Sequence, residues 1–532
     1  MSWLNGKIIP SEDLRLNSSI SRKVINIIVV LTLVVLSVAL LANSMTKPLG
    51  HDEQMYCTGA VLLAQGRMIY RDFSYIAQMP YHPLLCAALF RIFNTTHFLL
   101  VARLLSAFCD ILVAVCIFGI YRRIFDSFPL SRMLLGLGVV VLYVFNPHVD
   151  YANGLAWNHD LVVLFVLLSF WLFVSTDFNR KSKYFTIAAI GALLTFATCV
   201  RITTGLVQLL FFVFLLAQPA DSIKQRFKTT LPFLIGTAIV LIWPVWTIVL
   251  APRAFFLNIF WIPKLNSEWL HQMGMFHNKL NVIVTSITTP GSSVLIVIAI
   301  YLCLVAVCLR CKLTIPDSRN LLLAVLLSLV FFVIALVPPT MWWQYLAIPV
   351  PFLLISFAYP LLYIRKVVDG TRPGMHFKIA RCLVIACAVV VVVFRPIVLT
   401  RIPRLFKLQN WVPIRVHGIS EDIAAKTKEP KLILTLAPLY ALEGGCDIYT
   451  ELSAGPFVYR VADRLSAWNR DITNTVGSRT LEGLIKKSPP SALVIGVEPQ
   501  FLERALYQET EVNREEWDVK AYDGGPIAYF RR

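Results

Sequence analysis

Two carboxylates stand next to each other in Leu49-Gly50-His51-Asp52-Glu53-Gln54-Met55-Tyr56. Acids are scarce before residue 400: there are 14 Asp and Glu, and Asp52, Glu53 and Asp72 fall within 21 residues of one another. A carboxylate held against an apolar surface can take a proton from a hydroxyl. Asp52 can equally serve as a helix N-cap. A second acidic group follows at Asp150 and in Ala156-Trp157-Asn158-His159-Asp160. Acids at the hydrocarbon boundary are costly and usually functional.

The elements that must position these residues are apolar. The chain has 532 residues, 57% hydrophobic and 15% charged, with a mean hydropathy of +0.69. Soluble domains hold about 45–50% apolar and about 25% charged residues. A disordered chain, a disulfide scaffold and an ordinary cytosolic enzyme are excluded. About 20 apolar residues cross a bilayer core. Eleven such stretches are read at 24–43, 98–120, 133–149, 160–177, 184–200, 202–218, 231–250, 290–309, 320–338, 344–364 and 379–399. The fifth and sixth could instead form one broken helix around Arg201.

The net charge of +18 resides in this part: residues 1–399 hold 31 Lys and Arg, and residues 400–532 balance 18 against 17 acids. With the N-terminus inside, the inner segments carry 21 basic residues, whereas the short outer loops 150–159 and 339–343 carry none. Basic inner loops orient a polytopic protein, so the charge is no sign of a nucleic-acid partner. This orientation puts Asp52, Asp72, Asp150 and Asp160 outside, with the C-terminus. From Glu53 to Gln65 the apolar residues share one helical face, which predicts a helix lying flat in the outer interface. Trp157, Trp261, Trp269, Trp342 and Trp343 read as an outer aromatic belt.

Residues 1–399 thus form a transmembrane domain and residues 400–532 a small α/β domain on the outer face. Strands are expected at 432–436, 492–497, 519–522 and 527–530, the last two joined by Asp523-Gly524-Gly525, a hairpin signal. Helices are expected at 420–427, 461–468, 481–487 and 501–507. Cys57 and Cys86 could pair. Cys308 and Cys311 make a CxxC without a second pair, which argues against zinc.

The pattern Asp52-Glu53, Tyr56, Leu63, Gly66, Tyr70, Asp72-Phe73 after a first span resembles the first outer loop of the glycosyltransferase-C superfamily. The branch it resembles holds the dolichyl-phosphate-mannose–protein mannosyltransferases and the lipid A aminoarabinose transferases. Asn158-His159-Asp160 heading a span, and Gln344-Tyr345-Leu346 before Pro349 and Pro351, are similar to further segments of that branch. The resemblance implies an enzyme that moves a monosaccharide from a polyprenyl-phosphate donor to an acceptor hydroxyl on a glycan, glycolipid or protein at the outer face; a bacterial inner membrane is the default location, with the endoplasmic reticulum as the alternative. Asp52 matches the family's first-loop base. Asp160 matches a second acid, which would orient the acceptor or assist Asp52.

The departing phosphate needs fixed cations. Outer-side candidates are Arg71, Arg201, Arg253 and Lys264; Arg71, Arg253 and Lys264 could instead be headgroup or interfacial anchors, and Arg201, between two spans, could serve packing or topology. Glu53 is expected to face solvent or steady the helix start, with His51, Tyr56, Asp72, Asn158 and His159 as supporting residues. Some members of the superfamily use a divalent metal. His51 with Asp52, or His159 with Asp160, could supply ligands, although neither pair has an HExxH-like spacing. Two other classes remain open: a secondary transporter, and a non-catalytic envelope assembly or binding protein.

Overall fold

The computed structural model describes residues 19–219, 222–308, 318–338, 340–368, 375–513 and 515–532. A helix stands at each of the eleven apolar stretches, because long apolar runs can satisfy their backbone groups in lipid only as helices. Among the described residues, six helices are long and apolar enough to cross a membrane: Lys23–Thr46, Phe98–Ile124, Ile223–Leu250, Ser318–Leu336, Trp343–Lys366 and Met375–Phe394. A seventh crossing arises if Lys279–Thr288 and Ser293–Ala306, bent by 79°, count as one span. The remaining apolar stretches form helices of 10–17 residues, such as His159–Ser175 and Lys183–Thr198. The protein is therefore a multi-pass membrane protein. Residues 184–218 form two helices, with Arg201 in an extended conformation at the break between them.

Packing within the bundle uses small residues. Gly191 and Gly236 bring the helices Lys183–Thr198 and Ile223–Leu250 into backbone contact. An added Cβ at either glycine would lie 2.2 Å from Phe233 O or 2.1 Å from Ala188 O, respectively. In lipid such close approach replaces the hydrophobic drive as the source of association.

One polar tie runs through one end of the helical bundle. The Asp150 carboxylate accepts from Arg395 at 2.7 Å and from Arg401 at 2.5 Å. The Lys47 ammonium donates to the carbonyls of Asp150, Tyr151 and Asn153 at 2.6, 3.1 and 2.7 Å. The end of the first apolar helix, the 150–159 loop and the segment after Met375–Phe394 are thereby joined.

The C-terminal unit is a five-stranded sheet flanked by helices. Its strands are β1 (Leu432–Thr435), β2 (Asp447–Ile448), β3 (Ala492–Ile495), β4 (Trp517–Ala521) and β5 (Ile527–Arg531), in the order β2-β1-β3-β5-β4. β1 runs parallel to β2 and β3, and β5 runs antiparallel to β3 and β4. The β4–β5 hairpin turns at Asp523-Gly524-Gly525 as expected. The helix expected at 461–468 is broken into Pro456–Ala462 and Ala467–Thr473, and the two-residue β2 was not foreseen. Cys57 and Cys86 are free and buried. The side chains of Cys308 and Cys311 lie outside the described residues.

Candidate active site

The helix carrying Asp52 spans His51–Ala64 and departs from expectation in two ways. Its N-cap is Gly50, so Asp52 lies in the first turn and is not the cap. Every residue from Glu53 to Leu62 is buried, so the helix is enclosed by protein rather than floating in the interface. Among its polar groups, Gln54 Oε1 accepts the Leu439 N–H of the C-terminal unit at 3.1 Å.

Glu53 faces away from solvent. Its carboxylate takes Arg103 Nε at 2.8 Å and Nη2 at 2.7 Å, the Gly50 N–H at 2.7 Å and the Ala156 N–H at 2.6 Å. Arg103 spends its remaining N–H groups on the carbonyls of Ser44, Lys47 and Pro48. All five guanidinium donors are thus used. Both side chains have zero exposure. The expectation that Glu53 steadies the helix start holds, since it closes onto Gly50. The solvent-facing alternative does not.

Asp52 is half-buried, and no direct hydrogen bond or ion pair to its carboxylate is seen among the described residues. Burial raises its carboxyl above the usual aspartate range, while His51, Arg201 and Arg460 pull it back. Arg201 lies at the break after Lys183–Thr198. Its Nη2 donates to Asn158 Oδ1 at 3.3 Å, and its Cζ lies 5.8 Å from the centre of the Tyr345 ring. Asn158 in turn donates to Gln78 Oε1 at 2.5 Å. Tyr56, buried against His82 with ring centres 5.1 Å apart, is also within electrostatic reach of Asp52. Asp52, Tyr56, Asn158, Arg201 and Tyr345 thus converge from four separated segments.

The C-terminal unit contributes two charges that sequence reading missed. Glu498 accepts from His51 Nδ1 at 3.0 Å, and this bond raises the imidazole pKa. The backbone N–H groups of Gly496 and Glu498 are pinned by Glu503 at 2.6 and 3.1 Å, which sets the loop after β3. Arg460, on the helix Pro456–Ala462, reaches Asn266 Oδ1 at 2.5 Å. No local signal marks these residues, which lie some 400 positions from Asp52 in the chain.

Other expected residues go elsewhere. Arg71 is exposed and forked onto its neighbour Asp72 at 2.7 and 2.8 Å, so each satisfies the other away from Asp52. Arg253 donates to Asn469 at 2.9 Å and lies 3.2 Å over Trp468, tying the long outer loop to the C-terminal unit. Lys264 is exposed, 3.9 Å from Glu268. Asp160 is buried and accepts the Gly154 N–H at 2.8 Å. Gly154 has φ +81°, and a Cβ there would lie 3.0 Å from the Ser44 backbone, so that turn needs glycine. Asp160 therefore braces the loop behind the site and faces Asp110 and Lys47. His159 is buried beside Arg201 with neither ring nitrogen hydrogen-bonded.

Trp157 and Trp269 are buried rather than in a belt, whereas Trp261 is 40% exposed. Among the described residues no three His, Cys, Asp or Glu side chains converge as a metal site. His51 Nδ1 is bonded to Glu498, and Asp160 accepts the Gly154 N–H through Oδ2, while among the described residues its Oδ1 and both nitrogens of His159 have no partner.

The crystal structure of ArnT from Cupriavidus metallidurans bound to undecaprenyl phosphate aligns over 94% of this chain and 96% of its own, with a TM-score of 0.58 at 14% identity. The chain shares the fold of ArnT. ArnT in its apo state aligns equally well, at 0.58. The Archaeoglobus fulgidus oligosaccharyltransferase, in complex with Zn and sulfate, aligns at 0.51 and 10% identity over 94% of this chain and 73% of that one. Residues 77–248 match the family model of dolichyl-phosphate-mannose-protein mannosyltransferase. No curated protein matches the chain by sequence. The resemblance to the glycosyltransferase-C superfamily is borne out by the ArnT-like fold and by the matched segment.

Proposed function

We propose that the protein is a membrane glycosyltransferase that moves a monosaccharide from a polyprenyl-phosphate donor to an acceptor hydroxyl at the outer face. Asp52 is the general base and Arg201 the cation that receives the lipid phosphate. The observation that carries the reading is the state of Asp52. It is a half-buried carboxylate without a direct partner, beside an arginine at the outer end of the bundle, in a chain with the fold of a protein crystallised with undecaprenyl phosphate.

The acceptor oxygen attacks the anomeric carbon as its proton passes to Asp52 Oδ. The bond from that carbon to the phosphate oxygen breaks, and the polyprenyl phosphate leaves with one further negative charge. Attack opposite the leaving group inverts the anomeric centre. Burial raises the proton affinity of Asp52 above that of an exposed aspartate, which favours its accepting a proton. Arg201 stabilises charge as it grows on the phosphate, where a preorganised cation in a water-poor site contributes most. Asn158 holds Arg201, and Tyr345 lies against it. Glu53 and Asp160 are positioning residues. The six basic loop segments support an N-terminus in the cytoplasm and a C-terminal unit outside, and a bacterial inner membrane is the membrane proposed.

The test is Asp52→Asn in the full-length protein, assayed for sugar transfer from a polyprenyl-phosphate donor. Membrane insertion and abundance are expected to be normal and transfer to be lost. Transfer at the wild-type rate removes Asp52 from the mechanism.

A further inference from the structure

Arg460 is a basic side chain at the site that the reaction above leaves unused. Its helix, Pro456–Ala462, starts at Gly455, where φ is 56° and a Cβ would lie 2.7 Å from Leu436 O. The helix is therefore pinned against the end of β1. The guanidinium carbon sits 4.9 Å from the centre of the Trp269 ring and 5.3 Å from that of Phe457. Nε is committed to Asn266, on the helix Ile262–Gln272. Among the described residues no acceptor is seen for Nη1 or Nη2, and no ion pair includes Arg460. Glu498 and Asp52 act on it only at a distance, and Glu498 is already bonded to His51.

Desolvation pulls its pKa down to about 10, which leaves it charged at neutral pH. A guanidinium partly stripped of water, walled by aromatic rings and with two nitrogens open, presents the fork that matches a carboxylate or phosphate. Its approach matters too. Arg201 belongs to the helical bundle, the side from which a lipid phosphate arrives. Arg460 belongs to the C-terminal unit, the polar side. Both lower the Asp52 carboxyl, so the base lies within the fields of two cations of different origin.

We propose that Arg460 is an acceptor-binding residue whose Nη1 and Nη2 take a carboxylate or phosphate carried by the acceptor close to the reacting hydroxyl. The assignment rests on Asp52 as the base and Arg201 as the donor-side cation. It makes the acceptor an anionic molecule, and it gives the C-terminal unit a direct part in choosing it.

The experiment uses the full-length protein in lipid nanodiscs and follows thermal unfolding at matched ionic strength. Undecaprenyl phosphate, inorganic phosphate and glucuronate are the probes. Phosphate or glucuronate is expected to raise Tm further when undecaprenyl phosphate is already saturating, and which of them does so names the anion class. Arg460→Gln is expected to need about tenfold more of that anion for the same shift, with the undecaprenyl phosphate shift unchanged. Arg460→Lys, which keeps the charge and loses the fork, is expected to fall between the two and serves if the Gln variant does not fold.

The proposal is overturned if neither anion adds a shift in the wild type, or if both variants respond as the wild type does. A purely structural role for Arg460 would also abolish the undecaprenyl phosphate shift, and that result overturns it as well. Failure of the donor reading looks different: Arg201→Gln would then keep the undecaprenyl phosphate shift, while the contrast between Arg460 variants could still be read with soluble anion alone.

Discussion

Asp52 and Glu53 are consecutive residues on one helical turn, yet their surroundings are opposite. Glu53 is saturated: two bonds from Arg103 and two from backbone amides account for both oxygens. Asp52 has three positive groups in electrostatic reach, His51, Arg201 and Arg460, and no direct bond from any of them. The first arrangement holds a loop in place and leaves no capacity for anything else. The second keeps a charge poorly compensated, which is costly in a buried place and makes sense where a substrate will supply the missing partner. Two carboxylates in a run of sequence say little about how each is used. Their partners separate the saturated one from the open one.

The largest effect should come from breaking the closed pair. Arg103→Ala leaves Glu53 buried without its cation, at a cost of about 3–5 kcal/mol. Most of the folded protein should disappear from detergent-extracted membranes. Wild-type abundance and Tm would end the contrast between the two acids. Next comes Asp52→Asn, with Tm unchanged and transfer lowered by roughly 10²–10⁴-fold, the usual worth of a positioned base. On the proposed reading, Arg201→Gln removes a charged hydrogen-bonding partner of the donor phosphate, worth about 1.5–3 kcal/mol. It should raise the donor KM at least as much as it lowers kcat. A change confined to the acceptor KM would move Arg201 to the other side of the site.

A pH profile sharpens the contrast further. As the proposed base Asp52 would work in its deprotonated form, so transfer should fall as pH drops through its raised pKa, above the ordinary aspartate range. Burial sets the direction; His51, Arg201 and Arg460 oppose it, Glu53 adds to it, and Tyr56, Tyr151 and Tyr345 face the same space. Arg201→Gln removes an opposing charge and should shift the acid limb to higher pH. A limb that stays in place would mean that another group titrates. The smallest effect is expected from Arg71→Ala. Its exposed fork on Asp72 is a surface pair, and such pairs contribute little. Transfer should be unchanged, and a marked loss would bring the 67–73 turn into the site.

Much of the architecture was legible because its causes are local. Runs of apolar residues became helices, and the alternation and turn signals after residue 430 became four of the five strands. The scarcity of acids picked out Asp52, and Asn158 with Arg201 arrived beside it. What was not legible depends on distant pairing. The helix after Gly50 looked amphipathic, but its polar residues are met by Arg103 and Leu439, so it is buried instead. One signal for this was available: Arg103 lies one turn into an apolar run, and a buried arginine requires an acid. Arg71 was misleading because the adjacent Asp72 neutralises it. Glu498 and Arg460 were invisible, since only the packing of the C-terminal unit over the bundle brings them to Asp52.

The Asp150 tie has a consequence for how the molecule is made. Its two arginines, Arg395 and Arg401, are 245 and 251 residues further along the chain. A ribosome reaches them only after nearly all of the helical part has entered the bilayer. Until then the loop that leads to Asn158 lacks its clasp. Completion of the last helix is thus a precondition for the finished fold, and a truncated product halted before that point would lack both cations of the tie.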